Sequence, residues 1–219
     1  SGGDFASSNY IGGLVGKLGD SGVIEHSYSV AVLSGTTGVG GLAGIVDNNG
    51  ATPATAIRTS YAAGQMAGSP GSTGALVGAH SGGDNSSLPP TLAGAVSGDA
   101  GATYQTLYYN KEIIANGGGA NHTLPANEVT GLTADSLRMI GSIDTNIWDF
   151  ENIWTIKDPE VDKISSYPYL VNSTLTDSRL PGLLDNIAPA LVTTMPAAGS
   201  TGISIRPTIT AVFNEEVQT

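Results

Sequence analysis

Short apolar runs closed by glycine recur along the first hundred residues. Gly12-Gly13-Leu14-Val15-Gly16 returns as Gly40-Gly41-Leu42-Ala43-Gly44 and again as Gly74-Ala75-Leu76-Val77-Gly78, with starts 28 and 34 residues apart. A second motif alternates with it: Ser27-Tyr28 leads to Gly35, Ser60-Tyr61 to Gly68, and Thr91-Leu92 to Gly98. Runs of this kind predict short strands that turn sharply at glycine. Their alternation, as in Leu14 with Gly16 and Val30 with Val32, predicts one set of side chains facing inward. One such round cannot bury its own apolar face, but stacked rounds bury each other's. The pattern therefore predicts an all-β chain, a β-solenoid (β-helix) of about three coils over residues 1–100. Polar insertions such as Asp47-Asn48-Asn49-Gly50 and Ser81-Gly82-Gly83-Asp84-Asn85 are expected as projecting loops.

The pattern changes further on. Tyr104 to Asn110 reads as a strand. Thr130 to Met139 reads as a short helix, with Thr133 as N-cap and Asp135 in the first turn. Both Trp residues and five of the eight Tyr fall between 104 and 169. Aromatics concentrated at the end of a stack predict an aromatic-rich C-terminal cap over residues 101–171. Residues 172–187, with Pro181-Gly182, read as a linker. Residues 188–219 alternate again at Ile203-Ser-Ile205 and Ile209-Thr-Ala-Val212, so strands are expected there.

These residues carry a resemblance. Gly-Gly-Leu-Val-Gly followed by Ile24-x-x-Ser27-Tyr28, and then Ile57-Arg58-Thr59-Ser60-Tyr61-Ala62-Ala63-Gly64, is similar to the GLUG repeat. That repeat belongs to large bacterial surface proteins of the filamentous-haemagglutinin and IgA-peptidase type. The match covers roughly residues 10–98. Its third copy is degenerate, with Ala75 for a glycine and Thr91-Leu92 for Ser-Tyr, as a terminal repeat should be. Trp148-Asp-Phe150, Trp154-Thr-Ile156 and Tyr167-Pro-Tyr-Leu170 resemble what commonly follows such repeats. Residues 188–217 resemble the opening strands of a bacterial Ig-like (S-layer type) domain. A full sandwich needs about 100 residues, so the segment over 188–219 is expected to be incomplete. The resemblance implies a non-enzymatic extracellular module, a stalk or adhesin segment at the bacterial cell surface. Its implied partners are other copies of itself, neighbouring domains of a larger protein, or host and matrix glycans. An alternative is a filament subunit joined by C-terminal strand addition.

Composition supports a turn-rich β protein. Glycine is 31 of 219 residues, roughly twice the usual share. The net charge of −11 argues against nucleic acid and against an anionic membrane surface. No apolar run is long enough to predict a membrane span. The absence of Cys removes disulfides, thiolate metal sites and Cys nucleophiles together. The chain starts at Ser1 without Met, which reads as a processed product or a fragment.

Candidate chemistry is sparse. Gly19-Asp20-Ser21-Gly22 matches the surroundings of the chymotrypsin-type nucleophile. That family places its His and Asp before the Ser, whereas His26 is the first His here. His26, His80 and His122 share no metal-type spacing; stacked coils would set His26 beside Thr59. Asp47-Asn48-Asn49-Gly50 and Asp158-Pro-Glu160-Val-Asp162 could offer oxygen ligands to Ca²⁺, but both lack EF-hand or nonapeptide spacing. Turns are the expected role for both, and no cofactor is expected. An aromatic sugar platform is the rival use of the aromatic segment. Its carbohydrate candidates are Trp148 and Trp154, which the spacing also fits to core packing.

Overall fold

The structure is a computed structural model that describes residues 4–7, 9–19, 21–47, 55–68, 73–81, 103–113, 129–185, 190–197, 199–204, 206 and 208–213. The chain is mostly strand with a few one-turn helices, an all-β protein. It divides into two units, Ser1–Leu184 and Asp185–Thr219.

In the first unit fifteen short strands make three passes through five parallel sheets. The first pass is β1 (Asp4–Ser7), β2 (Ile11–Gly12), β3 (Val15–Leu18), β4 (Val23–Glu25) and β5 (Tyr28–Ser29). The second is β6 (Val32–Gly35), β7 (Val39–Gly40), β8 (Ala43–Asp47), β9 (Ala56–Arg58) and β10 (Tyr61–Ala62). The third is β11 (Met66–Ala67), β12 (Thr73–Gly74), β13 (Val77–Ser81), β14 (Thr103–Gln105) and β15 (Leu107–Asn110). Each strand pairs in parallel with the one five places later. One further strand, β16 (Val129–Leu132), extends the sheet of β15.

The glycine motif is in register throughout: Gly12 lies opposite Gly40, and Gly40 opposite Gly74. Tyr28 lies opposite Tyr61. Backbone bonds continue between the strands as well, from Leu14 N–H to Leu42 O at 3.0 Å and from Leu42 N–H to Leu76 O at 2.8 Å. Strands of two residues persist because a neighbouring pass satisfies the intervening backbone too.

Tyr61 lies opposite Tyr108 in the third pass. The strand expected over Tyr104–Asn110 therefore stands within the stack, as β14 and β15, rather than in a separate segment. The Thr91–Gly98 block lies outside the described residues. The inward phase also differs from expectation near Val30. Ala31 and Leu33 are buried, while Val32 is 41 % exposed. The turn after Ser29 shifts the alternation by one residue.

The corner before each Tyr is left-handed without glycine. His26, Thr59 and Thr106 have φ of 46°, 40° and 48°, and each precedes its Tyr by two positions. The next residue helps hold the bend: Ser27 Oγ donates to Glu25 O at 2.8 Å and Ser60 Oγ to Arg58 O at 2.7 Å. Leu107, which is buried, takes that slot in the third pass.

The interior is aliphatic, centred on Leu42, Val46, Ile57, Leu76 and Leu107. A second apolar cluster joins Leu33, Val39, Met66 and Ala75. In the second unit, Leu191–Met195 pairs antiparallel with Thr210–Phe213. Ile203 and Ser204, expected in a strand, are not in one.

Candidate functional site

The densest constellation of large side chains sits where residues 129–184 meet the tyrosine-bearing strands. It begins with stacked rings one pass apart. Tyr28 and Tyr61 lie 5.3 Å apart at an interplanar angle of 6°, an offset pairing that in-register parallel strands impose.

Two successive turns deliver the indoles. Asp144-Thr-Asn146-Ile-Trp148 and Asp149-Phe-Glu-Asn152-Ile-Trp154 both end in Asn-Ile-Trp. In the first, Asp144 Oδ1 accepts from Asn146 N–H at 3.0 Å, and Trp148 N–H donates to Asp144 O at 2.9 Å. In the second, Asp149 Oδ1 accepts from Asn152 N–H at 2.9 Å, and Trp154 N–H donates to Asp149 O at 2.8 Å. The side-chain amide and backbone N–H of Asn152 hold the Asp149 carboxyl below its ordinary pKa.

Both indoles are fully buried, with centroids 4.5 Å apart. Trp148 Nε1 donates to Thr106 O at 3.1 Å, the carbonyl of the third left-handed corner. Trp154 Nε1 is buried without a hydrogen-bond partner among the described residues. A sugar stacks on an exposed ring face, and neither Trp148 nor Trp154 offers one in this arrangement. Their neighbours are Tyr61, Tyr108 and Tyr167. Tyr61 Oη donates to Pro168 O at 2.7 Å, and Tyr108 Oη accepts from Asp144 N–H at 2.8 Å. Burial pushes the Tyr61 hydroxyl well above its ordinary pKa, reinforced by Tyr28 and Tyr167.

The helix expected near Thr133 forms as α1 (Ala134–Leu137), and Thr133 Oγ1 accepts from Ser136 N–H. Arg138, just past it, lies over the Tyr167 ring at 5.0 Å and donates from Nε to Gly182 O at 2.8 Å. The stretch expected as a linker over 172–187 is thus docked around Leu180 to Gly182. Leu180 is buried, and Pro181 O accepts from Tyr167 N–H at 2.8 Å. At Gly182, φ is 59° and any Cβ would collide with the Tyr167 ring.

The remaining candidates are placed as follows. Ser21 sits in a turn closed by Gly22 N–H to Gly19 O at 2.9 Å, and Asp20 lies outside the described residues. His26 Nδ1 is 2.8 Å from Thr59 Oγ1, the neighbour that stacking predicts. His80 pairs through its backbone with Val46, and His122 lies outside the described residues. Asp47 is ion-paired with Lys17; residues 48–50 lie outside the described residues. Asp158, read as a turn residue, instead caps a helical turn over Pro159–Asp162, and its side chain accepts from Glu160 N–H. Asp162 Oδ2 accepts from Asp158 N–H at 3.0 Å. These oxygens are turned to local backbone rather than to a common point. Among the described residues no group of three His, Asp or Glu could hold a metal ion.

A groove of about 390 Å³ runs over β6 and β11, between Val32, Leu33, Met66 and Ile113. Its one carboxylate, Glu112, accepts from Ala134 N–H at 2.8 Å and so helps cap α1. The groove brings together no acid–base pair. Sequence reasoning passed over Asn110, a buried amide whose Oδ1 accepts from Glu112 N–H and whose Nδ2 lies 3.4 Å from Tyr167 Oη. It also passed over the paired Asp turns, which the repeated Asn-Ile-Trp would have signalled.

Comparison with known proteins gives no match: no family model, no curated protein and no solved structure is similar to this chain.

Proposed function

We propose that the chain is a β-solenoid module of a bacterial surface protein, non-enzymatic and extracellular, serving as a stiff stalk or adhesin segment. In this reading the three passes are GLUG-type coils, and residues 129–184 form the aromatic cap over their end. The carrying observation is the parallel register that returns every strand to the same sheet one pass later. Such a stack is quasi-one-dimensional and stiffens along its axis as passes add. Its interior is spent on packing: aliphatic side chains fill the passes and buried rings fill the cap. Its partners are neighbouring domains or further copies, held through loops and edges.

The test is a glycan array with the full chain, run beside force spectroscopy on the same protein held at its two ends. A stalk module resists extension until it unravels and shows no saturable sugar binding. Saturable binding that disappears in Trp148→Ala or Trp154→Ala, with folding retained, would replace this reading with a carbohydrate-binding module.

A further inference from the structure

The repeated glycines record where a neighbouring pass lies against the backbone. Gly16, Gly44 and Gly78 occupy one position on the three passes, since Val15, Ala43 and Val77 are register partners. A Cβ on Gly78 would run into the backbone of Gly38 and Val39, which belong to the pass beneath. A Cβ on Gly44 would lie 2.5 Å from Ile11 N and 2.8 Å from Tyr10 C, again in the pass beneath. Ile11 and Val39 are register partners, so both glycines meet the same backbone spot. Glycine is required there because two main chains approach closely.

Gly16 breaks the correspondence. Its Cβ would meet only Tyr10 O, at 3.2 Å, and the residue is exposed. Among the described residues no strand pairs with the outer edges of β2, β3, β4 or β5. The opposite end behaves differently. Cβ atoms on Gly13 and Gly41 would strike the carbonyls of Gly41 and Ala75 in the pass above. At the third pass that position is Ala75, whose methyl is buried in the apolar cluster. The sequence thus abandons glycine at the end where the stack terminates and keeps it at the end where β5 and its neighbours stand open.

Exposure follows the same asymmetry. Tyr28 is partly buried, whereas its partner Tyr61 is fully buried; Val15 is partly buried against a buried Ala43. One face of the Tyr28 ring is stacked on Tyr61. We infer that the outer edge of the first pass is a docking seat for a further pass of the same repeat, joined in cis ahead of Asp4, with its backbone against Gly16. This rests on the parallel-stack reading above and identifies the partner that the open edge takes.

Duplicating residues 4–31 in front of Asp4 tests the inference, because 28 residues separate the register partners Asp4 and Val32. Gly16→Ala and Gly44→Ala are introduced into both the present chain and the extended one. In the present chain, Gly44→Ala should lower Tm by about 5–10 °C, while Gly16→Ala shifts it by no more than about 2 °C. The extended chain should melt higher, and there Gly16→Ala should become as damaging as Gly44→Ala. A Gly16→Ala that stays silent in the extended chain, or an added pass that trypsin and subtilisin strip away, overturns the inference. So does a homodimer of the present chain that Gly16→Ala dissociates, since a second copy would then fill the seat. If Gly44→Ala is harmless in both backgrounds, the parallel stack itself falls, and the inference with it.

Discussion

The strands of the first unit are short, some only two residues long, yet their apolar side chains are almost all buried. The two paired strands of the second unit are longer, at five and four residues. Even so, Leu191, Val192, Met195, Val212 and Phe213 are all exposed. Strand length and β-propensity do not separate the two regions. Neighbours do. Ala43 to Val46 is flanked on both sides by parallel partners and covered from within, so all four residues are buried. A lone two-stranded hairpin has no second layer and is marginal by itself. Burial in this protein is conferred by stacking, and removing a stacking contact should cost far more than removing an apolar side chain from the hairpin.

The largest effect is expected where the aromatic cluster closes. Trp154→Ala should cost about 3–5 kcal/mol in chemical denaturation, as large-to-small changes in a sealed core do. Gly41→Val should follow, at about 2–3 kcal/mol, because its side chain meets the Ala75 carbonyl and the Ala62 methyl. Thermal melts of this variant beside wild type measure it directly. Tyr61→Phe should cost about 1 kcal/mol at neutral pH, through loss of the bond to Pro168 O.

The same variant changes the alkaline limb. Tyr61 has a folded-state pKa raised above the ordinary value of 10.0 by burial. The fold therefore favours the neutral phenol, and this contribution is fully present below about pH 10. It is lost as pH rises through the folded-state pKa, because the unfolded chain sheds the proton first. Denaturation midpoints measured between pH 8 and 11 should fall less steeply in Tyr61→Phe. Equal slopes would mean that Tyr61 ionises freely. The smallest effect belongs to the hairpin: Ile209→Ser should move the melting of the first unit by under about 0.5 kcal/mol.

Much of the stack was legible because its signals are local. Gly12, Gly40 and Gly74 announce their register by spacing alone, and Tyr28 finds Tyr61 the same way. Thr133 with Asp135 marks the start of α1 through capping chemistry that any four residues can display. The third tyrosine was hidden because 47 residues separate Tyr61 from Tyr108; the insertion displaced the motif and Leu107 replaced its Ser. The left-handed corners were hidden for a different reason. His26, Thr59 and Thr106 are poor residues for positive φ, so only the paired passes around them dictate the bend. The burial of Trp148 and Trp154 could be argued only as one of two uses of an aromatic cluster. Sequence spacing brings rings together without saying whether anything covers their faces.

The central claim is that the chain returns to the same sheet one pass later, and a pair of spin labels reads it most directly. Ser34 and Ala67 are register partners on β6 and β11, and both are exposed. The chain has no Cys of its own, so Ser34→Cys/Ala67→Cys can be labelled cleanly with nitroxides. Paired parallel strands set the two backbones about 4.8 Å apart. The account predicts strong dipolar broadening in the doubly labelled protein, lost on unfolding in guanidinium. A spectrum equal to the sum of the two single-label spectra under native conditions would contradict it.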